Sequence, residues 1–163
     1  MLVRAATDED RAGIRAVHEA AFAGPLEAGI AEALHDGGDE RISLVAAEAG
    51  LILGHVVLSV GRVGDSSVLC LGPMGVAPRS QRRGIGTALI RRALAEAAAA
   101  QAGLVVLVGH PEYYPRFGFE RARPLGLECE WDLDEPWMAL RLPAYDPAVR
   151  GLVRFPPAFA SGS

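Results

Sequence analysis

The chain has 163 residues, half of them hydrophobic, which suits one globular domain with a proper core and leaves no comfortable room for two. Its net charge of −4 at pH 7 offers no basic face for nucleic acid or an anionic membrane surface. Cys70 and Cys129 are too few for a disulfide framework or a zinc site, and no run has the apolar length of a signal peptide or a membrane span, so the expectation is a metal-free protein of the reducing cytoplasm.

Leu2 to Ala6 reads as a short strand. Thr7, with Asp10 three residues on, marks a helix start, and Ile14, Val17, Ala21 and Phe22 give that helix one apolar face, with His18 and its neighbours on the surface. Gly24-Pro25 breaks it. A second helix carries Leu26, Ile30, Ala33 and Leu34 inward and His35 outward. Ile42 to Glu48 and Leu51 to Val60 form a hairpin across Ala49-Gly50, and after a loop at 61–67 a third run, Val68 to Val76, holds Cys70 as a small buried hydrophobe. A long alanine-rich helix from about Arg82 to Gln101 follows, with Gly103 at its C-terminal cap. Leu104 to Val108 is unbrokenly apolar, as a central parallel strand covered on both faces is. A turn or short helix spans Pro111 to Phe117, and Trp137 to Leu142 is the last predicted strand. No repeat or linker interrupts the chain, so the expected organisation is one domain, with a core over about 2–142 and a C-terminal extension over 143–163 whose last three residues fray.

The most informative stretch is Met74 to Thr87. An apolar strand leaves through Pro78, passes a basic turn containing Gly84 and Gly86, and enters the long helix. That order places free main-chain N–H groups at a helix N-terminus, where an anion, most often a phosphate, is the natural occupant. The glycines allow close approach of the main chain, and Arg79, Arg82 and Arg83 add positive charge. A dinucleotide fingerprint is excluded because Leu89 stands where its third glycine belongs, and a Walker loop because the chain has no lysine. The turn reads as a pyrophosphate cradle or, failing that, as an ordinary strand-to-helix connection.

Three segments in order resemble one family. Gln81-Arg82-Arg83-Gly84-Ile85-Gly86 is similar to the Q/R-x-x-G-x-G/A signature of the GNAT N-acetyltransferases, Leu71 to Pro78 to their fourth strand, and Tyr113-Tyr114-Pro115-Arg116-Phe117-Gly118-Phe119 to their Tyr-x-x-x-Gly-Phe segment. Gly54-His55 and the Phe155 to Phe159 tail resemble the YhbS-like branch. The resemblance implies an α/β fold: a mixed, mostly antiparallel sheet with one parallel strand–helix–strand crossover carrying the acetyl-CoA loop, and helices on both faces. It implies acetyl-CoA as co-substrate and direct attack on its thioester by a primary amine of a small molecule or peptide. Main-chain groups of Met74 and Val76 would pair with pantetheine, a backbone N–H near Val76 would meet the oxyanion, and Gln81, Arg82, Arg83, Gly84, Ile85, Gly86 and Thr87 would hold the pyrophosphate. Tyr114 would be the general acid; a packed core aromatic is the other reading of that residue. One departure stands out: the asparagine common after the fifth strand is replaced by Gly109-His110-Pro111-Glu112.

The general base stays open among Glu48, His55, His110, Glu112 and water. His55 is the most notable, since a polar ring in an apolar strand needs a reason. The family pattern assigns the acceptor pocket to the first two helices and the 61–67 loop. Glu27, Glu32 and Asp36 there would attract a cation or simply face solvent. Trp131 and Trp137 would line that pocket or pack in the core. The protein is expected to be a monomer or a homodimer paired through an edge strand near Trp137. The alternative to an enzyme is a catalytically silent CoA or acyl-CoA sensor on the same fold.

Overall fold

The computed structural model describes residues 1–162, with side chains through Ala160; Ser163, in the tripeptide expected to fray, lies outside them. β1 (Leu2–Ala5) leads into the expected capping box, in which the Thr7 N–H donates to Asp10 Oδ2 at 2.8 Å. Asp10 also accepts both arms of the Arg4 guanidinium, at 2.7 and 2.9 Å. α1 (Arg11–Phe22) follows and stops at Ala23, which takes a left-handed φ of 53°. The buried side of α1 contains His18, which is wholly inaccessible and not on the surface as its polarity suggested. It stands four residues after Ile14, on the apolar stripe. α2 (Leu26–Asp36) buries Ala28, Ile30, Ala31 and Leu34, whereas Leu26 and Ala33, expected inside, are exposed.

β2 (Glu40–Glu48) and β3 (Leu51–Val63) join through Ala49 and Gly50, whose φ values of 51° and 79° make the two-residue turn that matches strand twist. β4 (Ser66–Val76) pairs with β3 from Val63↔Ser66 onward. The expected 61–67 loop is therefore a tight hairpin around Gly64 and Asp65. Its residues are absent from the lining of the cleft described below, and burying Val63 and Val68 extends both strands. α3 (Ile85–Ala99) starts later than its composition suggests, since Arg82 and Gly84 take left-handed φ values of 67° and 77°. At its far end Gln101, with φ 64°, makes the left-handed turn expected of Gly103. Gly103 instead faces the Ala144 main chain, whose carbonyl oxygen would lie 3.2 Å from a Cβ.

β5 (Leu104–Val108) runs parallel to β4 and is buried over its first four residues, as its unbroken apolarity predicts. Beyond it come β6 (Glu120–Arg121), β7 (Leu127–Cys129), β8 (Trp137–Arg141) and β9 (Gly151–Arg154). The main order is β1-β2-β3-β4-β5-β8-β6, with β9 bridging β7 and the end of β3. β8 is thus an internal strand with Trp137 fully buried, and the exposed edge expected there is instead the two-residue β6. The strands β6, β7 and β9 are too short and too mixed to carry a periodic signal.

The sheet is mixed and mostly antiparallel. On one face Leu44, Val56 and Leu58 pack against Ile85 and Leu89 of α3, joined by Tyr114 and Phe119. On the other, Val57 meets Ile30 and Leu34 of α2, and His55 meets His18 of α1. Each fully buried leucine here contributes roughly 1.5–3 kcal/mol of transfer free energy. β4 and β5 pair at Leu69↔Val105 and Cys70↔Val106. Past that point β4 carries an extra residue: Val56 and Leu58, two apart on β3, oppose Met74 and Leu71, three apart. The bulge at Gly72-Pro73 bends β4 away from β5 and opens the sheet between them.

Candidate acetyl-CoA and acceptor cleft

The opening between β4 and β5 is a cleft of about 940 Å³ that reaches both faces of the sheet. On the α3 side its wall is the turn that the sequence singled out. The first helical bond of α3 runs from the Ala88 N–H to the Gly84 carbonyl, so the amides of Ile85, Gly86 and Thr87 precede the ladder and stay available. Met74, Val76, Gln81, Arg82, Gly84, Ile85, Gly86 and Thr87 all line the cleft. Arg83 does not: its guanidinium lies 3.2 Å from Glu48 at the end of β2, and this pair holds the Glu48 carboxyl below the usual carboxylate range. A Cβ on Gly86 would stand 3.5 Å from the Tyr113 hydroxyl and 3.6 Å from Val76 Cγ2, so any larger side chain there projects into the cradle.

The strand side is equally ordered. The Ala77 N–H donates to the Leu53 carbonyl of β3 at 2.8 Å. By the alternation of a strand, the main-chain groups of Val76 and Met74 then point away from β3, toward the cleft. Gln81 Nε2 donates to the Val76 carbonyl at 3.2 Å, tying the turn to the strand. Tyr114 is buried, only 9 % exposed, and edge-on to Tyr113 and Phe119. Its ring rests against Gly109, where a Cβ would come within 2.5 Å of it. Burial pushes its phenol up to about 12, with the neighbouring Tyr113 adding to the shift, so the hydroxyl keeps its proton. The Arg116 guanidinium lies 4.3 Å above the Tyr113 ring and holds it in place.

On the α1/α2 side the lining changes character. Phe22, Ile30, Trp131, Phe155 and Phe159 form an apolar wall, with Phe155 at 5.0 Å from Trp131 and 5.1 Å from Phe159 between ring centres. Glu27 is the carboxylate in that wall. Its fellow candidates are engaged elsewhere: Glu32 with Arg15 at 2.6 Å and Asp36 with Arg11 at 2.8 Å. Trp131 therefore lines the cleft while Trp137 packs in the core, its indole N–H donating to the Leu127 carbonyl. Among the candidate bases, His110 lines the cleft, Glu112 is exposed outside it, Glu48 is paired, and His55 is buried 2.8 Å from both His18 and Ser43. Of the three carboxylates offered for the acceptor side Glu27 is the one in the cleft, whereas the tail residues Phe155 and Phe159 reach it through packing of distant segments, which no local pattern announces. Among the described residues no group of His, Cys, Asp and Glu is placed to hold a metal, and no helix is long and apolar enough to cross a membrane.

A mixed sheet split between β4 and β5, with a glycine turn at the start of α3, is the fold of an acetyltransferase class. The chain belongs to the GNAT acetyltransferase family, whose domain model matches residues 2–122. It is 30% identical over 156 residues to the uncharacterized N-acetyltransferase YjhQ of Escherichia coli, covering 89% of this chain and 86% of that one. The structure of Escherichia coli YhbS in complex with CoA superposes with a TM-score of 0.91 at 28% identity, covering 98% of this chain and 91% of YhbS. A GNAT family acetyltransferase from Brucella melitensis in complex with acetyl-CoA gives a TM-score of 0.83 at 34% identity, with 97% of each chain covered.

Proposed function

We propose that the protein transfers the acetyl group of acetyl-CoA directly to a primary amine of a small molecule or peptide bound in the same cleft. The observation that carries this reading is the two-sided opening: main-chain donors and Tyr114 on the α3 face, and an apolar wall with one carboxylate on the other. Amides of the turn, with Arg82 and the Thr87 hydroxyl, would hold the diphosphate, as positive helix ends hold anions. Gln81 would brace the turn. Cleft-facing groups of Met74 and Val76 would align the pantetheine arm, and the Val76 N–H would meet the oxyanion that develops on the thioester carbonyl. Holding both reactants together supplies much of the acceleration.

The acceptor first gives up its ammonium proton to cleft water, the net proton of the reaction. The neutral amine then attacks the thioester carbon, the C–S bond breaks, and the departing thiolate takes a proton from Tyr114. The nitrogen passes its surplus proton to water. A phenol that holds its proton up to about 12 is always charged with that proton at neutral pH. The acceptor best matched to the far side is an ammonium on an apolar body: Glu27 meets the charge, and the aromatic wall meets the rest. A polyamine or aminoglycoside would want several free carboxylates there. The test is release of free CoA thiol from acetyl-CoA with tryptamine, 2-phenylethylamine, spermidine and an acidic peptide. Turnover is expected for the aromatic amines first. Glu27→Gln should raise their KM about tenfold, the loss of about 1.4 kcal/mol from one charged contact, and leave the KM for acetyl-CoA unchanged. Tight acetyl-CoA binding with no thiol release from any amine would make the protein a sensor.

A further inference from the structure

Two histidines are buried between α1 and the sheet, and the transfer chemistry above uses neither. His18 is completely inaccessible and His55 is 2 % exposed. His18 Nε2 lies 2.8 Å from His55 Nδ1, and His55 Nε2 lies 2.8 Å from the Ser43 hydroxyl. The far nitrogen, His18 Nδ1, is buried and has no hydrogen-bond partner. A chain built only to satisfy core polar groups would not end on an orphan.

Where the two ends of this chain lie is informative. A Cβ placed on Gly75 would stand 3.0 Å from His18 Nδ1, 3.4 Å from Ala21 Cβ and 3.4 Å from the Phe22 ring. Gly75, Ala21 and Phe22 all line the cleft on its acceptor side, so Nδ1 sits directly behind that wall. Phe22 is 42% exposed, and its ring, stacked on His18 with 6.1 Å between ring centres, is the part of the wall that also faces solvent. At the other end, Ser43 and His55 line a separate side pocket of about 70 Å³, well above the roughly 10–15 Å³ that a cavity needs to admit water. Burial holds both rings well below the ordinary histidine range, His18 at about 4 and His55 at about 3. At neutral pH each ring is therefore uncharged, with one N–H to give and one lone pair to receive. Placing the His18 hydrogen on Nε2 lets it donate to His55 Nδ1 and lets the His55 Nε2–H donate to Ser43 Oγ, which leaves His18 Nδ1 with a free lone pair.

We propose that Ser43, His55 and His18 are a proton relay joining the acceptor side of the cleft to the side pocket; this rests on the acetyl-transfer reading. After attack, the amine nitrogen holds a surplus proton. A cleft water beside Phe22 takes it and passes a proton to His18 Nδ1. His18 gives its Nε2 proton to His55 Nδ1, His55 gives its Nε2 proton to Ser43 Oγ, and Ser43 releases its own hydroxyl proton to water in the side pocket. Each relay atom gains and loses one bond to hydrogen or exchanges roles with its ring partner. Once Tyr114 has protonated the thiolate, the same hops run inward, restoring the phenol and both starting tautomers. Nothing is consumed. The charged and titratable groups around this chain are Asp10, whose charge acts on His55, and Asp8, Arg11, Glu32, His35 and Glu40 around the side pocket.

The test uses the full chain with an amine that the wild type acetylates. His55→Ala should lower kcat about 100-fold, within the range of general acid–base effects, while acetyl-CoA binds with unchanged affinity. Added imidazole should restore much of the rate, whereas thiazole, a similar ring with no N–H to pass on, should not. Ser43→Ala leaves both rings in place and should lower kcat about tenfold and turn a curved solvent-deuterium proton inventory into a straight one. If both variants keep wild-type kcat and the wild-type inventory, or if thiazole rescues as well as imidazole, the relay is wrong while acetyl transfer stands. If the wild type releases no thiol with any amine, acetyl transfer and the relay fall together.

Discussion

On the α3 side of the cleft the ligand-facing groups come largely from one short stretch, Gln81 to Thr87, and much of what they offer is main-chain N–H. On the α1/α2 side the lining comes from Phe22, Glu27, Trp131, Phe155 and Phe159, which are far apart in the chain and act through their side chains. The two halves of one cleft are therefore built on different chemistry. Backbone donors at a helix start hold a phosphate whatever the neighbouring side chains are, provided nothing fills the space above them. A wall of side chains takes its preference from each residue in it, and one substitution changes which acceptor fits.

The sharpest way to break that contrast is to fill the backbone half. Gly86→Val adds two methyl groups where a single Cβ would already touch the Tyr113 hydroxyl and Val76. Gly86 is in the first turn of α3 and half-buried, so the fold should survive. Acetyl-CoA affinity should fall at least 100-fold, about 2.7 kcal/mol, with the thermal midpoint of the unliganded protein nearly unchanged. Calorimetric titration with acetyl-CoA and a melting scan read the two quantities separately. An acetyl-CoA affinity within threefold of wild type would mean that the cofactor does not approach this turn.

The same contrast explains what was legible beforehand. The Gly84-Ile85-Gly86 turn, the Thr7–Asp10 box and the apolar Leu104 to Val108 strand are local devices: a few adjacent residues determine them, and the fold contains each one. His18 belongs to the buried stripe by its spacing, four residues after Ile14 and three before Ala21, although the polarity of a histidine favours the surface. Phe155 and Phe159 join Ile30 and Trp131 only after β9 pairs with the end of β3, a contact across some ninety residues of chain, Arg62↔Arg154. Pairing at that separation leaves no periodicity to read. Hence the family signature and the glycine turn at the start of α3 are legible, while the packing of Phe155 and Phe159 into the cleft and the His18–His55 contact are not.

A subtler break targets the chemistry between the two halves. Tyr114→Phe removes one hydroxyl from a ring held by Tyr113, Phe119 and Gly109 and should leave packing intact. The expected result is a kcat lower by about 10–100-fold with unchanged acetyl-CoA affinity, which steady-state assays and titration together measure. The pH dependence carries its own sign. Burial disfavours the phenolate, so the phenol keeps its proton up to about 12 and no loss of rate from this group should appear until pH comes within a unit of that value. A wild-type rate that falls with an apparent pKa near 10, and a Phe variant lacking that fall, would show an ordinary tyrosine and contradict the buried one.

The smallest expected effect sharpens the comparison from the edge of the turn. Arg82 and Arg83 are adjacent and chemically identical, yet Arg82 lines the cleft and Arg83 reaches back to Glu48 at 3.2 Å. The left-handed φ of 67° at Arg82 redirects the chain between them and separates their side chains. Arg82→Ala should weaken acetyl-CoA binding about three- to tenfold, as loss of one partly solvated phosphate contact does, and the penalty should shrink as salt is added. Arg83→Ala should leave affinity within twofold and cost little stability, since an exposed ion pair contributes well under about 1 kcal/mol. Titrations of both variants at low and high salt decide it. Equal losses for the two would mean that Arg83 abandons Glu48 when the cofactor binds and that side-chain charge, beside main-chain donors, governs this half of the cleft.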